Sequence, residues 1–472
     1  GMGKFYITTT TPYVNADPHI GFALEIIRAD VLARMHRAVG DEVFFNTGTD
    51  EHGQKIYQKA LETGKDPKTY CDEYAIKFQG LKTALNLSYS NFIRTTDEHH
   101  LTAAQEFWKL CEAKGDIYKK VYKIKYCVGC ELEKTDSELI NGKCPLHPNQ
   151  ELENIEEENY FFRFSNYQQR LLDLYESQAG FVIPEFRQNE MKTFIKGGLQ
   201  DFSISRLKAK MPWGVDVPGD DKQIMYVWFD ALINYISALG WPEDQKKFAE
   251  FWPGTQVCGK DNLRQQTAMW QAMLMSAGLP TSKQVFVGGF LTSEGQKISK
   301  SLGNVINPIE WSEKYGTDAL RYFLLAEVSV FEDSDVTVER FEEAYQGNLA
   351  NGIGNLAARV ATMAEKISLK VTEQRLGIRE AVINKLVIFR FDEAIKFIWE
   401  DIKTADTLIN QREVWKLIGK EQEFVLADLV RIIRQIAADL EPFMPETAEK
   451  LMAQFGGEII KRGDNLFQRI EK

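Results

Sequence analysis

The sequence predicts an α/β protein: a parallel sheet interrupted by a cysteine-bearing insertion and followed by an all-helical C-terminal part. Three observations predict it. First, Lys4 to Asn15 is β-rich and ends at a polar turn, and GDEVFFNTGTD is a second short apolar run bounded by glycine. Between them, Ile20 to Val39 places Ile20, Leu24, Ile27, Val31 and Met35 at helical spacing. Strand, helix, strand at this spacing is a βαβ unit, so the sheet is parallel and a ligand crevice lies at the strands' carboxyl ends. His19 and Asp50 both fall at such ends. Second, the texture changes near Ile117 into a short, charged stretch carrying Cys127, Cys130 and Cys144, then returns to α/β at QIMYVWFDALINYISALG and TQVCGKDNLRQQTAMW. Third, the chain from Gln346 onward is helically periodic and holds only two prolines, Pro442 and Pro445.

The expected organisation is therefore a split Rossmann-like sheet domain in residues 1–116 and 221–291, with an insertion at 117–220. A loop and connecting region follows at 292–345 and a helical bundle at 346–472. No run of 18 apolar residues occurs, which argues against a membrane span, and the N-terminus does not read as a targeting peptide. Six cysteines, three of them crowded together, are too few for a disulfide scaffold in 472 residues; they suggest a metal site in a reducing compartment, and the cytoplasm is expected. The net charge of −11 argues against attachment to nucleic acid by bulk electrostatics. The excess is confined to the first 345 residues; from Gln346 on, 19 basic residues balance 19 acidic ones, so local basic faces there stay open.

Three constellations carry chemistry. In NADPHIGFALEII, His19 and Gly21 stand at the mouth of a helix, where unpaired N–H groups and the helix dipole attract phosphate. Gly21 would let a base or ribose approach the backbone; a plain capped helix is the competing reading. In TSEGQKISKSLGN, Lys297 and Lys300 lie three apart in a loop after an apolar strand, and two ammonium groups suit charge developing on a transferring phosphate. A solvated surface loop would look the same on its own; the pairing with an anion-type helix start is what favours chemistry. Finally, Cys127-x2-Cys130 is followed by Cys144-x2-His147. Two such knuckles fit tetrahedral Zn2+, and a closed Cys3His shell makes it structural; a CxxC redox pair is the alternative. Two further strings fail their tests. GTDEHGQK has Gln54 where a P-loop needs lysine, and GIGNLA sits in helical sequence with no strand before it.

With these residues in place the chain resembles the class I methionyl-tRNA synthetases of bacterial type. PHIGF and KISKS resemble that class's HIGH and KMSKS signatures. GTDEHG, the CxxC…CxxH insert, DFSISR, YVWFDALINYI, VCGKD, GNLAAR and the tryptophan of INQREVWKL follow in the family's order, so the resemblance spans nearly the whole chain. It implies ligation of L-methionine to tRNA(Met) with ATP and Mg2+, through methionyl-adenylate and with release of pyrophosphate. It also implies contacts to ATP from His19, Gly21, Glu25, Gly259, Asp261, Lys297 and Lys300, with His19 and the two lysines catalytic. Thr11, Tyr13, Asp50, Trp228, Ala231, Leu232, Tyr235, Asn262 and Gln266 would surround methionine, with Arg206 in support. Asn355, Arg359 and Trp415 would read the anticodon from the helical bundle, and 292–345 would contact the tRNA stem. An aromatic wall from Trp228 and Tyr235 suits a polarisable thioether. Read without the resemblance, YVWFDALINYI is buried core, the Asn355/Arg359 face is plain bundle surface and Trp415 is core. There are departures. Phe22 replaces the second histidine of HIGH and cannot donate to phosphate; Thr11, Asn262 and Gln266 make the amino-acid pocket more polar than the family's. A sibling synthetase for another apolar amino acid and a non-catalytic tRNA-binding paralogue are the alternatives. With no appended OB-type domain after the bundle, a monomer is expected.

Overall fold

The computed structural model describes residues 3–298 and 306–471. Six strands form one sheet in the order Asn91–Arg94, Glu42–Thr49, Lys4–Thr9, Thr255–Gly259, Gln284–Gly288, Val182–Ile183, and every neighbouring pair is parallel. β1 (Lys4–Thr9) leads through helix α1 (Ile20–Ala38) to β2 (Glu42–Thr49), the βαβ unit expected from the periodicity. The N-terminal strands run outward from β1 on one side, and the strands after the insertion run outward on the other. The order therefore reverses between β1 and Thr255–Gly259, and a crevice opens there above the carboxyl ends.

α1 is buried along most of its length, from Ile20 to Met35, because it lies between the sheet and the C-terminal helices. Its Asp30 is the anchor. The carboxylate accepts from Ser88 N and Oγ at 2.7 Å, from Arg34 Nε at 2.8 Å, and lies 2.8 Å from the Arg321 guanidinium. Arg321, fully buried, also donates to the carbonyls of Leu85, Pro442 and Phe443. It thus stitches α1, the turn after Leu81–Ala84 and the C-terminal bundle together. Asp30's carboxyl is held below its ordinary range: burial pushes it up, but Arg321, Arg34 and Ser88 outweigh that. One apolar core runs from α1 into the helices Asn355–Lys366, Phe391–Arg412 and Gly419–Leu440, while a second fills the opposite face of the sheet.

The cysteine-bearing segment forms a separate antiparallel sheet, in the order Leu132–Lys134, Ile117–Cys127, Glu153–Phe162, Phe202–Ser203. The expected insertion, 117–220, does not behave as one unit. Val182–Ile183, in its middle, joins the edge of the main parallel sheet beside Val285–Phe286. Two residues are too few to show a strand period, so nothing in the sequence marked the return. Helices occupy the chain from Gln346 onward, as expected. Around Gly352, however, the backbone is wound as a π-helix (Tyr345–Gly354) with a non-helical kink at the glycine, inside the GIGNLA string.

Candidate functional site

A cleft of about 700 Å³ opens at the carboxyl ends of the strands, where the strand order reverses. Residues after β1 (Thr10 to Tyr13), the start of α1 (His19, Gly21, Glu25) and Asp50 at the end of β2 form one side. Gly259, Asp261, Asn262 and Gln266, after the fourth strand, form the other. Trp228, Ala231, Leu232 and Tyr235 come from the short helices Val227–Leu232 and Asn234–Ser237. The structure thus brings into one cavity every nucleotide and amino-acid candidate that it describes in full. Lys297 pairs through its backbone with Thr292 in a short hairpin, and the neighbouring Ile298 lines the cleft. Lys300 lies outside the described residues.

His19 caps α1. Its Nδ1 accepts from Gly21 N at 3.0 Å, so the ring proton sits on Nε2 in the neutral tautomer. Gly21 also lines the cleft. A Cβ there would stand 2.8 Å from His19 Cε1, so the glycine makes room for the folded-back imidazole. Phe22 turns its ring to the edge of Phe78, centroids 6.1 Å apart. One turn on, Glu25 accepts from Thr10 N at 2.9 Å and Thr10 Oγ1 at 2.7 Å. Withdrawal from bulk water, aided by Asp261 and opposed by Thr10's donors and Arg28, pushes its carboxyl up to about 8.

Asp50 is 3% exposed, and among the described residues its Oδ1 has no hydrogen-bond partner. The nearby cleft wall holds a second unmatched group, the Trp228 Nε1 donor. Leaving such groups buried without partners costs about 1–3 kcal/mol each, so the cavity is built for a polar guest. The Asp50 carboxyl is held well above its ordinary range by burial first, then by the charges of Asp230 and Glu131. Asp230 itself is held low: burial would raise it, but His52 and His100 prevail. His52 Nδ1 lies 3.3 Å from one Asp230 oxygen and His100 Nε2 3.2 Å from the other. The sequence motifs do not mark this group as a unit. His52 could have been found, two positions from Asp50 in GTDEHG; His100 and Asp230 carry no local signal. Arg206 is not part of the cleft wall. It is buried over the Tyr126 ring, 3.2 Å from Glu157, and reaches Gln54 at the start of helix α2 (Gln54–Glu62), tying the insertion to the main domain.

The sulfurs of Cys127, Cys130 and Cys144 and a ring nitrogen of His147 all lie within 4.8 Å of one another. Cys130 Sγ is 3.1 Å from His147 Nδ1 and 3.5 Å from Cys144 Sγ. A tetrahedron with zinc–sulfur arms of about 2.3 Å has edges of about 3.7 Å, so the four ligands fit the ion. Gly129 is required here: a Cβ would stand 2.2 Å from His147 Cδ2. The knuckle also forms part of the cleft rim, through Gly129, Cys130 and His147, which the spacing did not foretell. Glu131, next in the chain, binds Lys55 N at 3.0 Å and Tyr126 Oη at 2.8 Å, and so fastens the knuckle to the start of α2.

Arg359 and Trp415 stand together in the helical bundle, and neither they nor Asn355 line the cleft. Asn355 and Arg359 share a face of the helix Asn355–Lys366. Arg359 donates to Asn410 Oδ1 at 3.2 Å, and its guanidinium lies 5.9 Å from the Trp415 ring. Trp415, on the turn Val414–Lys416, is 49% exposed rather than core, which corrects the reading made from the residues alone.

A parallel sheet with a reversal-point cleft, a histidine-capped first helix and a cysteine–histidine knuckle on its rim define a nucleotide-binding α/β enzyme of class I synthetase architecture. The comparisons agree. The family described as tRNA synthetases class I (M) matches residues 5–155 and 148–361. The methionine–tRNA ligase of Thermotoga maritima is 41% identical over 96% of this chain and 76% of its own length. That of Caldanaerobacter subterraneus subsp. tengcongensis is 39% identical over 99% and 79%. The structure of Mycobacterium tuberculosis methionyl-tRNA synthetase in complex with methionyl-adenylate superposes with a TM-score of 0.93 at 33% identity, covering 99% of this chain and 100% of that one. The chain belongs to the methionyl-tRNA synthetase family, the class I methionine–tRNA ligases.

Proposed function

We propose that the cleft joins L-methionine to ATP, releasing pyrophosphate, and then passes the methionyl group to the terminal ribose hydroxyl of tRNA(Met). The observation that carries this reading is the pair of unmatched buried groups, Asp50 Oδ1 and Trp228 Nε1, beside the apolar and aromatic wall of Ala231, Leu232 and Tyr235. An α-ammonium satisfies Asp50, and its charge keeps that carboxyl ionised against burial and the neighbouring acids. Tyr13, Thr11, Asn262 and Gln266 complete the amino-acid site. The substrate carboxylate is already a nucleophile, so the first step needs no strong base. It needs alignment with the α-phosphate and neutralisation of charge on the leaving pyrophosphate. His19 supplies a directed donor from Nε2 together with the N-terminus of α1, while Lys297 and Lys300 supply positive charge. Gly21, Glu25, Gly259 and Asp261 hold the nucleoside. Mg2+ enters with the triphosphate as part of the substrate.

Cys127, Cys130, Cys144 and His147 would hold Zn2+ in a closed shell, which fixes the knuckle on the cleft rim and offers no open position for chemistry. Residues 346–472 serve as the anticodon-binding domain, with Asn355 and Arg359 reading base edges and Trp415 stacking. The region 292–345 carries the lysine loop and meets the tRNA stem. The enzyme acts as a cytoplasmic monomer; among the described residues, no helix is long and apolar enough to cross a membrane. The test is ATP–pyrophosphate exchange with each amino acid in turn. Exchange driven by methionine is the expected result. Exchange driven by leucine or cysteine but not methionine overturns the substrate, and no exchange with any amino acid overturns the reaction.

A further inference from the structure

Tyr235 faces the cleft, and its hydroxyl is joined through Gln266, also in the wall, to polar side chains buried behind it. Gln266 Nε2 donates to Tyr235 Oη at 2.6 Å, and Gln256 Nε2 donates to Gln266 Oε1. Gln256 Oε1 accepts from Trp270 Nε1 at 3.1 Å and from Ser282 Oγ. Gln271 Nε2 donates to Ser282 Oγ at 3.0 Å and to the Gln266 carbonyl at 2.9 Å, while Gln271 Oε1 accepts from Ser282 N at 2.9 Å. All of these side chains are at least nine-tenths buried.

An amide side chain reads almost the same in either orientation, so a run of glutamines has no direction of its own. This run has one, because both of its far ends are groups that can only donate. The Trp270 indole N–H has no acceptor form, so Gln256 must turn its oxygen toward it. The Ser282 backbone N–H likewise fixes the Gln271 oxygen. Gln271 then spends its NH2 on Ser282 Oγ, which leaves the serine proton for Gln256 Oε1. Two independent anchors thus set Gln256 the same way round. Its NH2 then faces Gln266, the Gln266 oxygen must accept, and the Gln266 NH2 must donate to Tyr235. Among the described residues the Tyr235 hydroxyl makes no other hydrogen bond with its side-chain oxygen. Its own proton is therefore left for the cleft.

We propose that Gln256, held by Trp270 and Ser282, is a specificity-determining positioning residue: it fixes the Tyr235 hydroxyl as a donor into the cleft, selecting an amino acid whose side chain carries an acceptor atom. The inference rests on the reading of this cleft as the methionine site. A thioether sulfur is such an acceptor, though a weak one, and norleucine, with CH2 in place of sulfur, fills the same volume without it. Gln256 touches no substrate; it acts through Gln266 and Tyr235.

The test compares kcat/KM for methionine and norleucine in ATP–pyrophosphate exchange, using the full chain. Gln256→Glu is nearly isosteric, and its carboxylate meets three donors. Being acceptor-only, it forces Gln266 to turn its NH2 inward, and the Tyr235 proton is drawn to Gln266 and away from the cleft. The methionine-to-norleucine ratio is expected to fall about three- to tenfold, the scale of one modest hydrogen bond. A general loosening of the pocket would lower both rates together and leave the ratio in place. If Gln256→Glu does not fold, Gln256→Met carries the same test, because it removes the donor to Gln266 without adding charge. A folded variant with the wild-type ratio overturns the inference, and so does a wild-type enzyme that uses norleucine as well as methionine. A wild-type enzyme that activates neither overturns the reading of the cleft instead, so the two failures are distinct.

Discussion

Replacing Trp415 with alanine separates the two halves of the proposed reaction. The indole is 49% exposed and sits on a turn whose neighbour, Val414, is fully buried and holds the backbone. Truncation therefore opens no internal cavity, and the cost in fold stability should stay within about 0.5 kcal/mol. What is lost is a flat apolar surface steadied by the Arg359 guanidinium at 5.9 Å, itself tied to Asn410. One unstacked base resting on that ring is worth about 1–3 kcal/mol, which translates into a loss of about 5- to 150-fold in kcat/KM for tRNA charging. Among the described residues, no part of the cleft wall comes from beyond Ile298, so adenylate formation should stay within about twofold of wild type. Steady-state charging of tRNA, run in parallel with pyrophosphate exchange, reads both. Equal losses in the two assays would refute the assignment of this face to the anticodon, and unchanged charging would refute a stacking role.

Further tests concern the cleft and the knuckle. Glu25 is expected to link stability to pH. Its folded carboxyl titrates near 8 against about 4.5 unfolded, so its contribution is complete below pH 4.5 and is lost as pH rises through 8. Glu25→Gln should therefore match wild type in thermal melts near pH 5 and exceed it by about 1–3 kcal/mol at pH 9; equal melts at pH 9 would contradict a buried acid there. Asp50→Asn should raise the KM for methionine by at least about tenfold, since one ionised partner is lost to the ammonium, with the KM for ATP little changed. His19→Ala should lower pyrophosphate exchange by about 10²–10³ while leaving methionine binding intact by calorimetry. Cys144→Ser should reduce bound zinc from one per chain toward none and lower the melting temperature; retention of one zinc would show that the ligand set is wrong.

Much of this architecture could be read from the chain because its signals are local and periodic. α1 and its flanking strands declare themselves by spacing, and the two x2 knuckles by ligand type. The features that escaped depend on distant partners. Asp230 meets His52 and His100 across 178 and 130 positions, and the Gln256–Gln266–Gln271 run gains its direction only from Trp270 and Ser282 in space. Val182–Ile183 is a strand because a sheet edge stands beside it, with too little sequence to show alternation. Gly21 shows the opposite case: the residue stands out in the sequence, while the imidazole folded over it is a matter of three-dimensional packing. Trp415 shows how an apolar residue in an apolar-looking helical region can still face water when the chain turns between two helices.

The buried Arg321 clasp has a consequence for how the molecule engages its nucleic-acid partner. One guanidinium grips the first helix of the cleft and the carbonyls of the bundle at once. On the proposed reading, that clasp ties the bond-forming cleft to the face holding Trp415, so loosening it with Arg321→Ala is expected to harm tRNA charging more than pyrophosphate exchange.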